Sequence, residues 1–317
     1  MTVALRHPVS PAEIQHFALA TGAVDRMHHD SAVAWARGYR DVVAPPNFFS
    51  AIALSMGRTA PPEQLRADGL AAADQLTGRV VAGGTAVRWH GAICAGDVLV
   101  VTEEHLPHRQ QASRHGTLVI HSITRRYLVA DRLVVEERAD RVAIPLAPHG
   151  PGPADDRNAG AAASDGQAAK SPANNELIGA DRQPGELDLF MFCAATWLTH
   201  RIHFDRDYAR SEGYRDLVVP GPYQNALLGQ FLADFAAAHG GTLDYLEVRH
   251  RAPAFCGAPL RLSAAVAETN AGPRTAAVTL NVSVSGPAGV VHTSGRAGLT
   301  LTASATVLGL LGERSVA

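Results

Sequence analysis

His200 and His203 stand three residues apart in the stretch Ala195-Thr196-Trp197-Leu198-Thr199-His200-Arg201-Ile202-His203. An imidazole titrates close to neutral pH, so either ring could take up and return a proton during a reaction. The same spacing would suit a metal pair, but no third ligand is apparent. Thr196 and Arg201 lie close enough in sequence to hydrogen-bond a water or a substrate carboxylate. Gly221 follows Pro220 at the start of an apolar-patterned segment. A helix start offers N–H groups with no intrahelical partner and the positive end of the helix dipole, and glycine lets another molecule approach closely. Each residue also has a plainer reading: an exposed or structural histidine, a turn glycine, or a threonine and an arginine that serve the fold or the surface.

The elements that must hold these groups are repeated. Residues 17–45 laid over residues 192–220, a shift of 175, match without a gap at 13 of 29 positions, among them Thr21/Thr196, Arg26/Arg201, His28/His203, Asp30/Asp205 and Pro45/Pro220. Two copies of one fold are therefore expected. Asp30 and Asp205 precede short alanine-containing segments and are expected to cap helices. After each proline comes a helical stretch, NFFSAIALSMGR in the first copy and PYQNALLGQFLADFAAAHG in the second. In the latter, Leu227, Leu228, Phe231, Leu232 and Phe235 form the broad apolar face of a helix packed on a sheet. Strands follow, in the second copy at roughly 244–252, 259–268, 275–286 and 289–302. Residues 86–101 resemble 247–262 at an offset of 161, which carries the repeat into the sheet. Helix followed by antiparallel strands, twice over, predicts an α+β fold.

Residues 147–185 are rich in Ala, Gly, Pro, Asp and Asn and show no periodicity, the composition of a flexible linker. The expected organisation is an N-terminal domain at 1–146, a linker at 147–185 and a C-terminal domain at 186–317. A formal net charge of −2 removes the electrostatic case for nucleic acid or an anionic membrane as partner. The N-terminal sequence lacks a secretory pattern and no apolar run reaches the length of a membrane span, so the cytoplasm is the expected compartment. Three cysteines, Cys94, Cys193 and Cys256, without CxxC spacing point to neither a disulfide framework nor a zinc site.

The string ATWLTHRIHFDRDYARSEGYRDLVVPGP resembles the signature of the MaoC-like enoyl hydratases and 3-hydroxyacyl-thioester dehydratases, and EVRHRAPAFCGAPLRL resembles their following strands. The first half is similar to the non-catalytic hot-dog of two-part members, which include fatty-acid-elongation dehydratases and mesaconyl- or itaconyl-type CoA hydratases. The resemblance implies a double hot-dog, each unit a curved antiparallel sheet wrapped around a helix, the two units packed sheet to sheet. It implies a hydro-lyase that adds water to a 2-enoyl thioester, or removes it from a 3-hydroxyacyl thioester, of coenzyme A or an acyl carrier protein. The carrier is then part of the substrate, and no metal or redox cofactor is implied. Such units commonly pair, which leaves room for a homodimer.

His203 falls on the family's catalytic histidine, and Gly221 on the glycine whose N–H faces the thioester oxygen. Substrate-binding candidates beside them are Thr196, Leu198, Arg201 and Tyr223. The chain departs from the family five residues before the histidine, where Leu198 replaces an Asp or Asn. Leucine moves no proton, so His200 is the expected substitute. Two rivals follow from the same departure: a non-catalytic module that binds acyl thioesters, and a hot-dog enzyme redirected to isomerisation, conjugate addition or cyclisation. The first half carries Ala23 and Pro46 where the second carries Leu198 and Gly221, so chemistry is expected in the second half alone.

Overall fold

The computed structural model describes residues 3–55, 79–113, 116–144 and 176–304, together with residues 307 and 309. The first half opens with strand β1 (Val3–Pro8) and helix α1 (Pro11–Thr21). Ser10 caps α1 by accepting from the Glu13 N–H at 3.2 Å while Glu13 accepts from the Ser10 N–H at 2.9 Å, and Pro11 occupies the first helical position. A 3₁₀ turn (Arg26–His28), helix α2 (Ser31–Ala36) and helix α3 (Phe49–Ser55) follow, then strands β2 (Arg79–Trp89), β3 (Val98–His105), β4 (Arg109–Ser113), β5 (Gly116–Val129) and β6 (Arg132–Ile144).

The second half repeats the order: β7 (Glu176–Arg182), α4 (Glu186–Thr196), a 3₁₀ turn (Arg201–His203), α5 (Arg206–Ser211), α6 (Gly221–Ala238), then β8 (Thr242–His250), β9 (Leu260–Ala271), β10 (Thr275–Ser285) and β11 (Val291–Thr302). The aspartates cap as expected, Asp30 accepting from the Ala32 N–H and Asp205 from the Tyr208 N–H, both at 2.9 Å. Helix α6 is buried on nearly every side, as a helix wrapped by a sheet must be. The apolar core runs without a break from Phe17, Phe48 and Phe49 in the first half to Phe192, Leu228 and Leu280 in the second.

Two expectations are corrected. The halves do not stack sheet on sheet: eleven strands form one sheet, in the order β1-β3-β5-β6-β2-β8-β11-β10-β9-β7 with β4 attached to β5. The halves join where β2 pairs antiparallel with β8. At that seam Ala86 pairs with Glu247, the residue 161 positions on and therefore its own counterpart, and the neighbouring pairs Gly84–Arg249 and Arg88–Tyr245 are counterparts of each other. The pseudo-twofold axis thus passes through the Ala86–Glu247 pair. Completing backbone hydrogen bonds between two edge strands removes two exposed edges, a gain that face-to-face packing does not give. The linker is the second correction, because residues 176–182 of the expected 147–185 span form β7 and pair with β9. Leu177 and Ile178 pack against the core, enough apolar area to hold an edge strand in place. Residues 145–175, and the continuation of the first-half helical stretch beyond Ser55, lie outside the described residues.

Candidate active site

The two turns carrying the histidines are held alike. Val218 forms an isolated bridge with Phe255 and Val43 one with Cys94, again counterparts under the repeat. The Val218 N–H donates to the Ile202 carbonyl at 3.0 Å and the Val219 N–H to the Ala254 carbonyl at 2.8 Å, so the segment leading into α6 is tied on both sides. His203 then donates its Nδ1–H to the Val218 carbonyl at 2.7 Å, and His28 donates to Val43 at 2.6 Å. A carbonyl can accept and cannot donate, so each bond fixes the tautomer and leaves Nε2 with the lone pair. His203 is 8% exposed, and burial pulls its pKa down to about 4, opposed by the Val218 bond and aided slightly by His200. It is thus a neutral base at physiological pH.

Three residues after Val218, α6 begins at Gly221 with Pro220 as N-cap and no side-chain cap. The first intrahelical bond is the Gln224 N–H to the Pro220 carbonyl, 3.1 Å. Pro222 has no N–H, which leaves the N–H groups of Gly221 and Tyr223 without a helical carbonyl. The site therefore brings together a neutral imidazole and a helix start able to stabilise an oxygen that gains negative charge. A side chain at Gly221 would not project into open space: a Cβ there would lie 2.6 Å from His250 Nε2 and 3.0 Å from both adjacent ring carbons. Glycine at this position leaves room for His250.

Of the other expected residues, His200 is exposed with its ring centroid 6.0 Å from that of His203, close enough to act beside it through water. Leu198 is half-buried against the core. Tyr223 is 4% exposed, its ring 4.8 Å from Phe192, and burial raises its phenol above the ordinary range. Thr196 and Arg201 do not join the site. The Thr196 hydroxyl donates to the Phe192 carbonyl at 2.7 Å, fully buried, and Thr21 does the same to Phe17 at 2.8 Å, so this threonine closes a helix in both copies. Arg201 donates to its capping residue Asp205 through Nε and Nη2 at 3.0 and 2.6 Å and stacks over Tyr208, as Arg26 pairs with Asp30.

The first half keeps the histidine and its carbonyl bond but differs around them. Ala23 is buried in place of Leu198, and Asp25 stands in place of His200, where it accepts from the Met27 N–H and from Arg37. Pro46 stands in place of Gly221, and the Trp89 indole N–H donates to its carbonyl at 2.7 Å. His28 is 1% exposed and its Nε2 has no partner. The repeat-mate of Trp89 is His250, a residue that sequence reasoning passed over as part of a strand; its signal was the tryptophan-to-histidine change between the copies. Among the described residues no three His, Cys, Asp or Glu side chains are grouped to hold a metal ion, and no helix is long and apolar enough to cross a membrane.

A continuous sheet built from two pseudo-symmetric units, each holding a histidine beside the entry to its helix, defines a double hot-dog protein. Residues 56–256 match the model of the hydroxyacyl-thioester dehydratase type 2 family, and the chain belongs to that family. A mesaconyl-C(4)-CoA hydratase of Chloroflexus aurantiacus is 31% identical over 157 residues, a match spanning 49% of this chain and about half the length of that relative, 50%. Among solved structures, a MaoC-like dehydratase superposes with a TM-score of 0.72 at 20% identity, covering 96% of this chain and 98% of its own. A Mycobacterium tuberculosis protein described as having a double hot-dog fold gives 0.60 at 16% identity, covering 95% and 96%. These likenesses establish the fold.

Proposed function

We propose that this protein adds water to a 2-enoyl thioester, or removes it from a 3-hydroxyacyl thioester, at a single site headed by His203 and Gly221. The observation that carries the reading is the locked tautomer of His203 on the carbonyl three residues before a helix start with free N–H groups. In hydration, His203 Nε2 takes one proton from water as the oxygen bonds to Cβ. The C=C electron pair moves towards the thioester oxygen, where the Gly221 N–H meets the developing charge. The imidazolium then returns its proton to Cα, and dehydration runs the same steps in reverse. His200 assists from the exposed side. Family membership and the mesaconyl-C(4)-CoA hydratase likeness favour a coenzyme A thioester as substrate, with an acyl-carrier-protein thioester as the other form to test. The first half supplies a wall of the acyl pocket: its Thr85 accepts from the Asn225 side chain of α6 at 3.3 Å, and Asn47 packs against Gly229 of the same helix.

The test is a panel of 2-enoyl and 3-hydroxyacyl thioesters, each on coenzyme A and on carrier protein, followed by mass for gain or loss of one water. Turnover of at least one pair in both directions is expected. Tight binding of the panel with no mass change would show an acyl-thioester binding module instead.

A further inference from the structure

The head of α6 holds a second imidazole whose hydrogen bonding points in one direction. Gln224 donates its Nε2–H to the Val219 carbonyl at 3.4 Å, which turns its amide oxygen towards Thr293. The Thr293 hydroxyl donates to that oxygen at 2.8 Å. Having given its hydrogen away, Thr293 Oγ1 accepts from His250 Nδ1, 3.0 Å distant. Gln224 is 3% exposed and Thr293 not at all, so water does not compete for these bonds. The chain of donors ends at His250 Nε2, which carries a lone pair, is buried and has no partner. That atom sits against Gly221, the first residue of the helix, 2.6 Å from where a Cβ on that residue would stand.

An unpaired buried acceptor costs about 1–3 kcal/mol and asks for an explanation. The internal repeat sharpens the question. In the first half the same strand position, Trp89, donates its ring N–H to the Pro46 carbonyl, so the ring at this position leaves no polar atom of its own unpaired. In the second half the strand position carries a smaller ring with an open lone pair, the position at the helix head is glycine, and the residue five before the histidine is Leu198, which accepts no hydrogen bond. An apolar ring would brace Gly221 without stranding a nitrogen there.

We infer that His250 Nε2 is the hydrogen-bond acceptor for the hydroxyl group that this site adds or removes, filling the place that Leu198 leaves empty. A thioester oxygen on the Gly221 N–H puts Cβ a few bonds away on the same helix start, and the hydroxyl or water at Cβ then donates to Nε2 while His203 moves the proton. His250 transfers no proton itself. It selects acyl groups bearing a donor at C3, so it favours 3-hydroxyacyl over plain acyl thioesters. This inference rests on the hydro-lyase reading above.

The experiment compares wild type, His250→Phe and His250→Gln, each checked for its thermal midpoint, on the 3-hydroxyacyl-CoA that the wild type dehydrates best. Phe keeps the packing and loses the acceptor; Gln carries an amide oxygen that reaches the place of Nε2. The expected result is a loss of about tenfold or more in kcat/KM for Phe and a return to within a few-fold of wild type for Gln. A Phe variant as active as wild type, or equal losses in both variants, overturns the inference. Because a variant can fail to fold, ¹⁵N resonances of wild-type His250 are followed with that 3-hydroxyacyl-CoA and with the acyl-CoA lacking the hydroxyl. Nε2 is expected to shift with the first and not the second, and equal responses overturn the inference. A wild type that moves no water on any thioester rejects the hydro-lyase reading and this inference together, whereas an active wild type with an indifferent position 250 rejects this inference alone.

Discussion

Acidification should weaken the fold through His203 in a measurable window. The folded ring is held at about 4 against an ordinary 6.5. In the unfolded chain the ring returns to its ordinary value, so between pH 6.5 and 4 the unfolded state binds a proton at this position that the folded state refuses. Stability therefore falls as pH falls, with no cost above the unfolded pKa and the full cost below the folded one. A difference of that size is worth about 3 kcal/mol. The assay is urea unfolding of wild type and His203→Gln near pH 7 and near pH 4.5. Glutamine removes the titrating group, so the stability gap between the two proteins should close by about 2–3 kcal/mol at the lower pH as only the wild type is penalised. The same shift places the acid limb of kcat/KM near pH 4. A gap that stays constant across the window, or an acid limb at the ordinary imidazole value, would refute the burial and tautomer on which the site rests.

Thr196→Val should cost about 1 kcal/mol of stability, read by denaturant unfolding, and leave kcat unchanged, because its hydroxyl serves the end of α4. His28→Ala should change stability or substrate KM more than kcat, since its half carries Pro46 at the helix head; equal losses of kcat in folded His28→Ala and His203→Ala would mean a site shared by both halves. Gly221→Ala should lower stability by about 1–3 kcal/mol through the clash with His250, and adding His250→Ala should recover part of it, a coupling that thermal melts of the double-mutant cycle detect.

Much of this architecture was legible in the residues. The match of residues 17–45 to 192–220 carried two copies, both aspartate caps and the approach to α6, because these features are local and each has a side-chain signature. The seam between β2 and β8 had none: it is made of backbone hydrogen bonds, and the similarity of residues 86–101 to 247–262 marks the two strands as counterparts without saying that they pair. Strand β7 hid in linker composition because an edge strand needs few apolar residues, here Leu177 and Ile178. Thr196 was misplaced by its nearness to the histidines, since a helical hydroxyl bonds back to the carbonyl four residues earlier before it reaches any substrate. His250 was missed because its meaning depends on Gly221 and Thr293, contacts separated by 29 and 43 residues, which no local spacing reveals.

The central claim is that His203 carries the proton of a hydration at the second-half site. Its most direct test is hydration of a turned-over 2-enoyl thioester in deuterium oxide by wild type and folded His203→Ala, with product deuterium located by mass spectrometry. Wild type is expected to place deuterium at Cα as water adds at Cβ, and His203→Ala to lose the rate by about 10²-fold or more. Hydration at an undiminished rate in His203→Ala would contradict the account.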